Sequence, residues 1–157
     1  MTRDDIAPLA TLWTDPKVTR YLGGPRDFET VRKNLEEDLP QAHQVQFDLW
    51  TLVEKSSERV IGHCGLLEKQ VDGRDEIELI YVLSADMWGR GYATEIAVAL
   101  RDCAFHELGL HRLISLIEPE NAASVRVAVK AGMTFEKEIV RPGGAIRHVY
   151  AIVKEEL

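Results

Sequence analysis

Cysteine is scarce: Cys64 and Cys103 stand alone among 157 residues, without CxxC spacing or a second pair. Two isolated thiols make neither a disulfide framework nor a zinc site, and they suit a reduced compartment. The five histidines, at 43, 63, 106, 111 and 148, lack ligand spacing, so no metal is expected. No apolar run approaches the roughly 20 residues of a membrane span, and "MTRDDIAPLATLW" lacks the basic and apolar blocks of an export signal. The expectation is a cytoplasmic protein with no membrane partner. Positive charge is also in deficit: 19 Lys and Arg against 26 Asp and Glu give a net charge of −7. Sequence-independent nucleic-acid binding draws its affinity from phosphate neutralisation, so nucleic acid is not expected either, and a basic or amine-bearing partner fits better. Linkers, internal repeats and low-complexity tracts are missing too. With 45% hydrophobic and 29% charged residues, the chain reads as one globular domain over residues 1–157.

What is present begins with two helical patterns. Ile6, Leu9, Ala10 and Trp13 recur at helical spacing over 4–13, and Phe28, Val31 and Leu35 do so over 27–38. The period then changes to that of strands. "FDLWTLVE" (47–54) and "RVIGHCGLLE" (59–68) flank a polar turn, and "EIELIYVL" (76–83) follows the turn "VDGRD". A long helix from about residue 92 ends at "ELGL", where Gly109 offers a left-handed cap. "HRLISLI" (111–117) reads as a strand and "NAASVRVAVKAG" (121–132) as a helix with Asn121 as N-cap. "TFEKEIV" and "AIRHVYAIV" close the chain as strands around "RPGG". The fold class is mixed α/β.

One stretch calls for more than secondary structure. In "YVLSADMWGRGYATEIAVAL" (81–100) a strand stops, two glycines bracket an arginine, and a helix begins at once. Amides at a helix start have no internal partners and sit at the positive end of the helix dipole, so an anion gains hydrogen bonds there without a basic side chain. Gly89 and Gly91 let a pyrophosphate approach and Ala93 keeps clearance, although the same glycines would serve a plain tight turn. A P-loop is excluded by the missing GxxxxGK, and a dinucleotide fingerprint fits poorly because Thr94 stands where its third glycine belongs.

"DPKVTRYLGGP", "VIGHCGLLE" and the run from "EIELIYVLSADMWGRGYATEIAVAL" through "IEPENAASVRVAVKAGMTFEKE" resemble the GNAT superfamily of acyl-CoA N-acyltransferases. More narrowly they resemble the branch that includes the RimJ and RimL ribosomal-protein N-terminal acetyltransferases. The likeness implies a mostly antiparallel central sheet flanked by helices, with a splayed strand pair at the cofactor site, here "LIYVL" and "RLISLI". It implies acetyl-CoA as co-substrate, its pyrophosphate held by the turn Trp88, Gly89, Arg90, Gly91, Tyr92, Ala93 and Thr94. Its pantetheine arm would pair with the strand around Tyr81 and Val82 and be reached by Asn121, beside that residue's capping role. An amine-bearing acceptor is implied as well: a peptide N-terminus, a polyamine or a small amine. A homodimer is common in the branch.

Acetyl transfer to an amine needs a neutral amine, a polarised thioester carbonyl and a proton for the departing thiolate. Glu78 is the candidate base. It shares a strand face with Ile80 and Val82, while Ile77, Leu79, Tyr81 and Leu83 occupy the other, so its carboxylate sits on an apolar strand and its pKa should rise. It also matches a glutamate often given this role in the family. A glutamate merely paired with Lys or Arg, or solvated, is the competing reading, and Glu76 has the same parity nearer the turn. The amide of Val82 is the expected carbonyl polariser. The family's usual acid is a tyrosine four residues before the glycine of a "GF" pair; Ala128 holds that position here. Ser124 matches a serine that the branch can use instead, and NxxS is equally ordinary capping composition. Tyr150 is a remote alternative acid. By analogy with the family, Trp13, Tyr21 and Trp50 would line an acceptor pocket, although core packing is the commoner fate of such aromatics.

Two departures qualify the likeness. Relatives begin with a strand before the first helix, and here that strand is expected to be missing. The closing hairpin is short, with His148 where an acidic residue is common. Two rival readings follow: a non-catalytic acyl-CoA-binding sensor or interaction module, and a Rossmann-type NAD protein.

Overall fold

The computed structural model describes residues 1–155. A 3-10 turn, Arg3–Asp5, leads into α1 (Ile6–Thr14), followed by α2 (Phe28–Asp38) and a second 3-10 turn, Leu39–Gln41. Strands β1 (Leu49–Glu54), β2 (Arg59–Val71) and β3 (Arg74–Leu83) come next, then α3 (Tyr92–His106), β4 (Arg112–Ile117), α4 (Ala122–Lys130), β5 (Thr134–Val140) and β6 (Ile146–Val153). The expected mixed α/β architecture is present: an open, mostly antiparallel six-stranded sheet in the order β1-β2-β3-β4-β6-β5, with β3 and β4 parallel and four helices accompanying it.

Most differences from the expected boundaries lie at ends. The first helix starts two residues later, because Thr2 and Asp5 form a capping box around a 3-10 turn. Strand β2 runs on to Val71, since the turn "VDGRD" uses only Asp72 and Gly73. Both have positive φ, 49° and 74°, as a two-residue hairpin turn requires.

The chain divides into two compact units. The first comprises Met1–Gly65 and Tyr81–Arg90. Its core joins Ile6, Leu9, Leu12 and Trp13 of α1 to Val31 and Leu35 of α2 and Val82 of β3. Asp27 caps α2 by accepting from the Thr30 amide at 2.8 Å. The second unit comprises Leu66–Ile80 and the described residues from Gly91 onward. Its sheet core is Val71, Ile114, Ile139, Val149 and Ala151. Here β5 reaches back to the β2–β3 hairpin: Lys137 Nζ lies 2.6 Å from Asp72 Oδ2, and Arg141 Nη1 donates to the Gln70 carbonyl at 2.7 Å. Strands β3, β4 and β6 lie between β2 and β5 in the sheet order, so these contacts require that this part of the sheet curl, with its apolar cluster on the concave face.

Candidate active site

Alternation along β3 decides what each residue can do. The Ser84 amide donates to the Ile61 carbonyl, and a Cβ at Gly62 would collide with the Val82 carbonyl, so even-numbered residues turn their backbone polar groups toward β2. The odd residues turn theirs away, as the Leu79 carbonyl shows by accepting from Ser115 Oγ at 2.9 Å. The Val82 amide is therefore directed into the β2–β3 ladder. By the same alternation the amide of half-buried Tyr81 turns away from β2.

The parallel ladder between β3 and β4 registers Glu78 opposite Ile114 and then gives way to side chains. The Leu116 amide donates to Glu78 Oε1 at 3.3 Å, and Ser115 Oγ takes the Leu79 carbonyl. A strand pair whose backbone groups are satisfied by side chains is an opened pair.

Glu78 is 7% exposed and lies on the concave face with Ile114, Leu116 and Val149. Burial raises its pKa; the charge of Lys69, the Leu116 amide and the charge of Arg141 pull the other way without cancelling the rise. Lys69 Nζ stands 3.7 Å from Glu78 Oε2. Glu76 is committed elsewhere: Arg112 grips it at 3.0 Å and also holds Glu136, a cross-strand brace rather than a base. Lys69 and Arg141 are site residues that periodicity did not reveal. Their only sequence signal is parity, since Lys69 shares the face of Val71, and Arg141, just past the end of β5, that of Ile139.

The glycine turn has the geometry an anion needs. Gly89 and Gly91 have φ of 73° and 83°, and a Cβ at either meets nothing within 4 Å, so the space above them is open. Gly91 is the N-cap of α3 and supplies no side-chain cap; the first i to i−4 bond comes from the Glu95 amide at 3.1 Å. The amides of Tyr92, Ala93 and Thr94 precede that bond. Trp88 braces the approach, its indole Nε1 donating to the Leu83 carbonyl at 3.0 Å while half its surface remains exposed. Arg90 is exposed and pairs with Glu54 at 3.9 Å.

At the start of α4, Asn121 Oδ1 accepts from the Ser124 amide at 3.2 Å, so Asn121 is an N-cap by its oxygen. Ser124 is half-buried, Ala128 is buried, and Tyr150 is 8% exposed within the sheet. Trp13 is a core residue, 4% exposed, its indole donating to His63 Nδ1 at 3.2 Å. His63 and Cys64 point to opposite strand faces, and burial pushes the Cys64 thiol up to about 12, which removes it as a nucleophile. No helix among the described residues is long and apolar enough to cross a membrane.

With this geometry in place, similarity to known proteins is informative. Residues 1–134 match the model of the acetyltransferase (GNAT) domain family. The chain is 32% identical over 137 residues to the uncharacterized protein YkkB of Bacillus subtilis (strain 168), covering 87% of this chain and 80% of that one. It is 31% identical over 141 residues to the uncharacterized N-acetyltransferase p20 of Bacillus licheniformis, covering 88% and 77%. Among solved structures, a GNAT-family acetyltransferase from Bacillus anthracis superposes with a TM-score of 0.81 at 25% identity, covering 99% of this chain and 93% of that one. The aminoglycoside acetyltransferase AAC(6')-Ib in complex with coenzyme A superposes at 0.77, covering 98% and 92%; at 17% identity it shows shared fold alone.

Proposed function

The chain belongs to the GNAT family of acetyltransferases, and from that premise we propose that it is a cytoplasmic N-acetyltransferase that moves the acetyl group of acetyl-CoA to a primary amine, a peptide α-amine in the first instance, by direct attack in a ternary complex. Its place in the RimJ- and RimL-like branch is part of this reading, supported by Trp88 at the turn and by Ser124 following Asn121 within "PENAAS". The observation that carries the reading is Glu78: a carboxylate 7% exposed, on an apolar face, beside an opened strand pair.

Acetyl-CoA supplies the acyl group, its carbonyl carbon bonding to the acceptor nitrogen as the carbon–sulfur bond breaks and the thiolate leaves with the bonding pair. The chain's residues do the rest. The amides of the turn Gly89 to Thr94 and the charge of Arg90 hold the pyrophosphate. The Tyr81 amide would donate to the acyl oxygen, Val82 sets the strand, and the side-chain amide nitrogen of Asn121 would reach the pantetheine. Glu78, directly or through a water, takes the proton that the amine sheds. Its raised pKa suits that task, because a base works best when its affinity for protons approaches that of the medium. Ser124 Oγ is the candidate donor to the thiolate.

Thiol release from acetyl-CoA with a panel of N-terminal peptides and small amines tests this. Glu78→Gln should lower kcat by about 10²–10⁴-fold, the usual worth of a general base, and leave acetyl-CoA affinity unchanged. Turnover unaffected by Glu78→Gln would remove Glu78 as the base.

A further inference from the structure

The concave face around Glu78 does not share the acidity of the whole chain. Alternation places Lys69 on this face beside Val71, Lys137 and Arg141 with Ile139, and Arg147 with Val149. Lys137 is paired with Asp72, and Arg147 lies 3.8 Å from Glu118. Lys69 Nζ stands 3.7 Å from Glu78 Oε2, and Arg141, anchored by Nη1 on the Gln70 carbonyl next to Lys69, brings a second positive charge to the same face. When Glu78 takes a proton from the amine, it loses its charge and both cations lose their counter-ion. A cationic acceptor such as a polyamine would worsen that imbalance, whereas an acceptor with its own anion would correct it.

Arg141 is built to hold that anion. Its backbone is fixed at the mouth of the β5–β6 loop: the Arg141 amide donates to Ala145 at 2.8 Å, and the Gly144 amide donates back to Arg141 at 2.9 Å. Gly143 and Gly144, with φ of 94° and 91°, make the reversal possible. Nη1 is engaged by the Gln70 carbonyl, which sets the plane of the guanidinium. A guanidinium has five N–H donors in a rigid fork that matches a carboxylate.

Resting on Glu78 as base, we infer that the acceptor is a primary amine carrying a carboxylate a few bonds from its nitrogen, with the carboxylate bound by Arg141 and Lys69 while the nitrogen lies at Glu78. A free amino acid and a peptide with an acidic first residue both have this chemistry.

The test compares matched acceptors that differ only in carboxylate against carboxamide: aspartic acid and its diamide, peptides beginning with Asp and with Asn, and spermidine as the cationic control. The full chain is assayed for thiol release, and acceptor binding to the coenzyme A complex is followed by calorimetry. The expected result is a kcat/KM at least tenfold higher for the carboxylate member of a pair, seated in KM, with spermidine poorest. Which pair shows the larger ratio tells the free amino acid from the peptide. Arg141→Gln should collapse the ratio toward one, and Arg141→Lys, which keeps charge without the fork, should retain part of it. An equal or reversed ratio in the wild-type chain, or a ratio intact in Arg141→Gln, overturns the inference. Failure of the catalytic reading looks different. If no amine is acetylated, calorimetry still decides, since carboxylate over carboxamide binding that Arg141→Gln abolishes supports the anion site, and indifference rejects it. If Glu78→Gln turns over normally while the ratio survives, the base is wrong and the anion site stands.

Discussion

Glu78 sits in conflict with the fold that holds it. Burial raises its pKa above that of a carboxyl in the unfolded chain, so the folded state binds this proton more tightly. The sign follows: folding is favoured while Glu78 is protonated, and that contribution is lost as pH rises through the folded-state pKa. Glu78→Gln should therefore raise the thermal midpoint at pH 7 while lowering kcat, and a lowered midpoint would show that the ionised carboxylate is a net structural asset. Lys69 acts in the opposite direction, holding the pKa down from 3.7 Å. Lys69→Met should then move the acid limb of the rate profile to higher pH, a displacement that kcat measured against pH reads directly. His63 makes a second residue-scale case. Burial holds its imidazole down at about 4, against an ordinary 6.5, with Asp48 opposing; Nδ1 accepts from Trp13 and Nε2 has no partner among the described residues. The folded chain keeps this ring neutral while the unfolded chain takes a proton below 6.5. Stability present above that pH is thus lost as pH falls toward 4, by at most about 3 kcal/mol at 1.36 kcal/mol per tenfold change in proton affinity. Chemical denaturation at steps between pH 7 and 4 should show the decline, and His63→Gln, which can still accept from Trp13, should flatten it.

At the scale of elements, the two helix starts in the site are built differently. Strand β3 hands over to α3 through a glycine N-cap with no side-chain cap, whereas α4 begins on Asn121, whose oxygen covers the Ser124 amide. One helix start lacks a side-chain cap and the other is closed by Asn121. Asn121→Ala should cost about 1 kcal/mol, the usual worth of an N-cap, and urea titration would measure it. Gly91→Ala places a side chain in the left-handed region at φ 83°, costing about 1–2 kcal/mol, although nothing crowds the new Cβ. Most elements were legible in the sequence because their signals are clear: the stripe of α1, the alternation of β3, the Asn121 start of α4. What was not legible is direction. Alternation along β3 gives two sets of residues without saying which set turns its amides toward β2. Nor does parity alone bring Lys69 of β2 and Arg141 of the β5–β6 corner toward one carboxylate; the curl of the sheet does that.

For the whole molecule, a net charge of −7 says little about the site, since the concave face that carries Glu78 is lined with cations. The overall balance pointed toward a basic acceptor, whereas local charge favours an anionic one, because at the few ångströms of a binding site nearby groups outweigh distant ones that salt screens. The family-level account depends first on the glycine turn being a cofactor seat. Calorimetric titration of the wild-type chain with acetyl-CoA, beside Gly91→Trp, tests it most directly, with circular dichroism confirming that the variant is folded. The account predicts saturable micromolar binding by the wild-type chain that the indole at position 91 abolishes. Absence of binding by the wild-type chain, or equal binding by the folded variant, would contradict it.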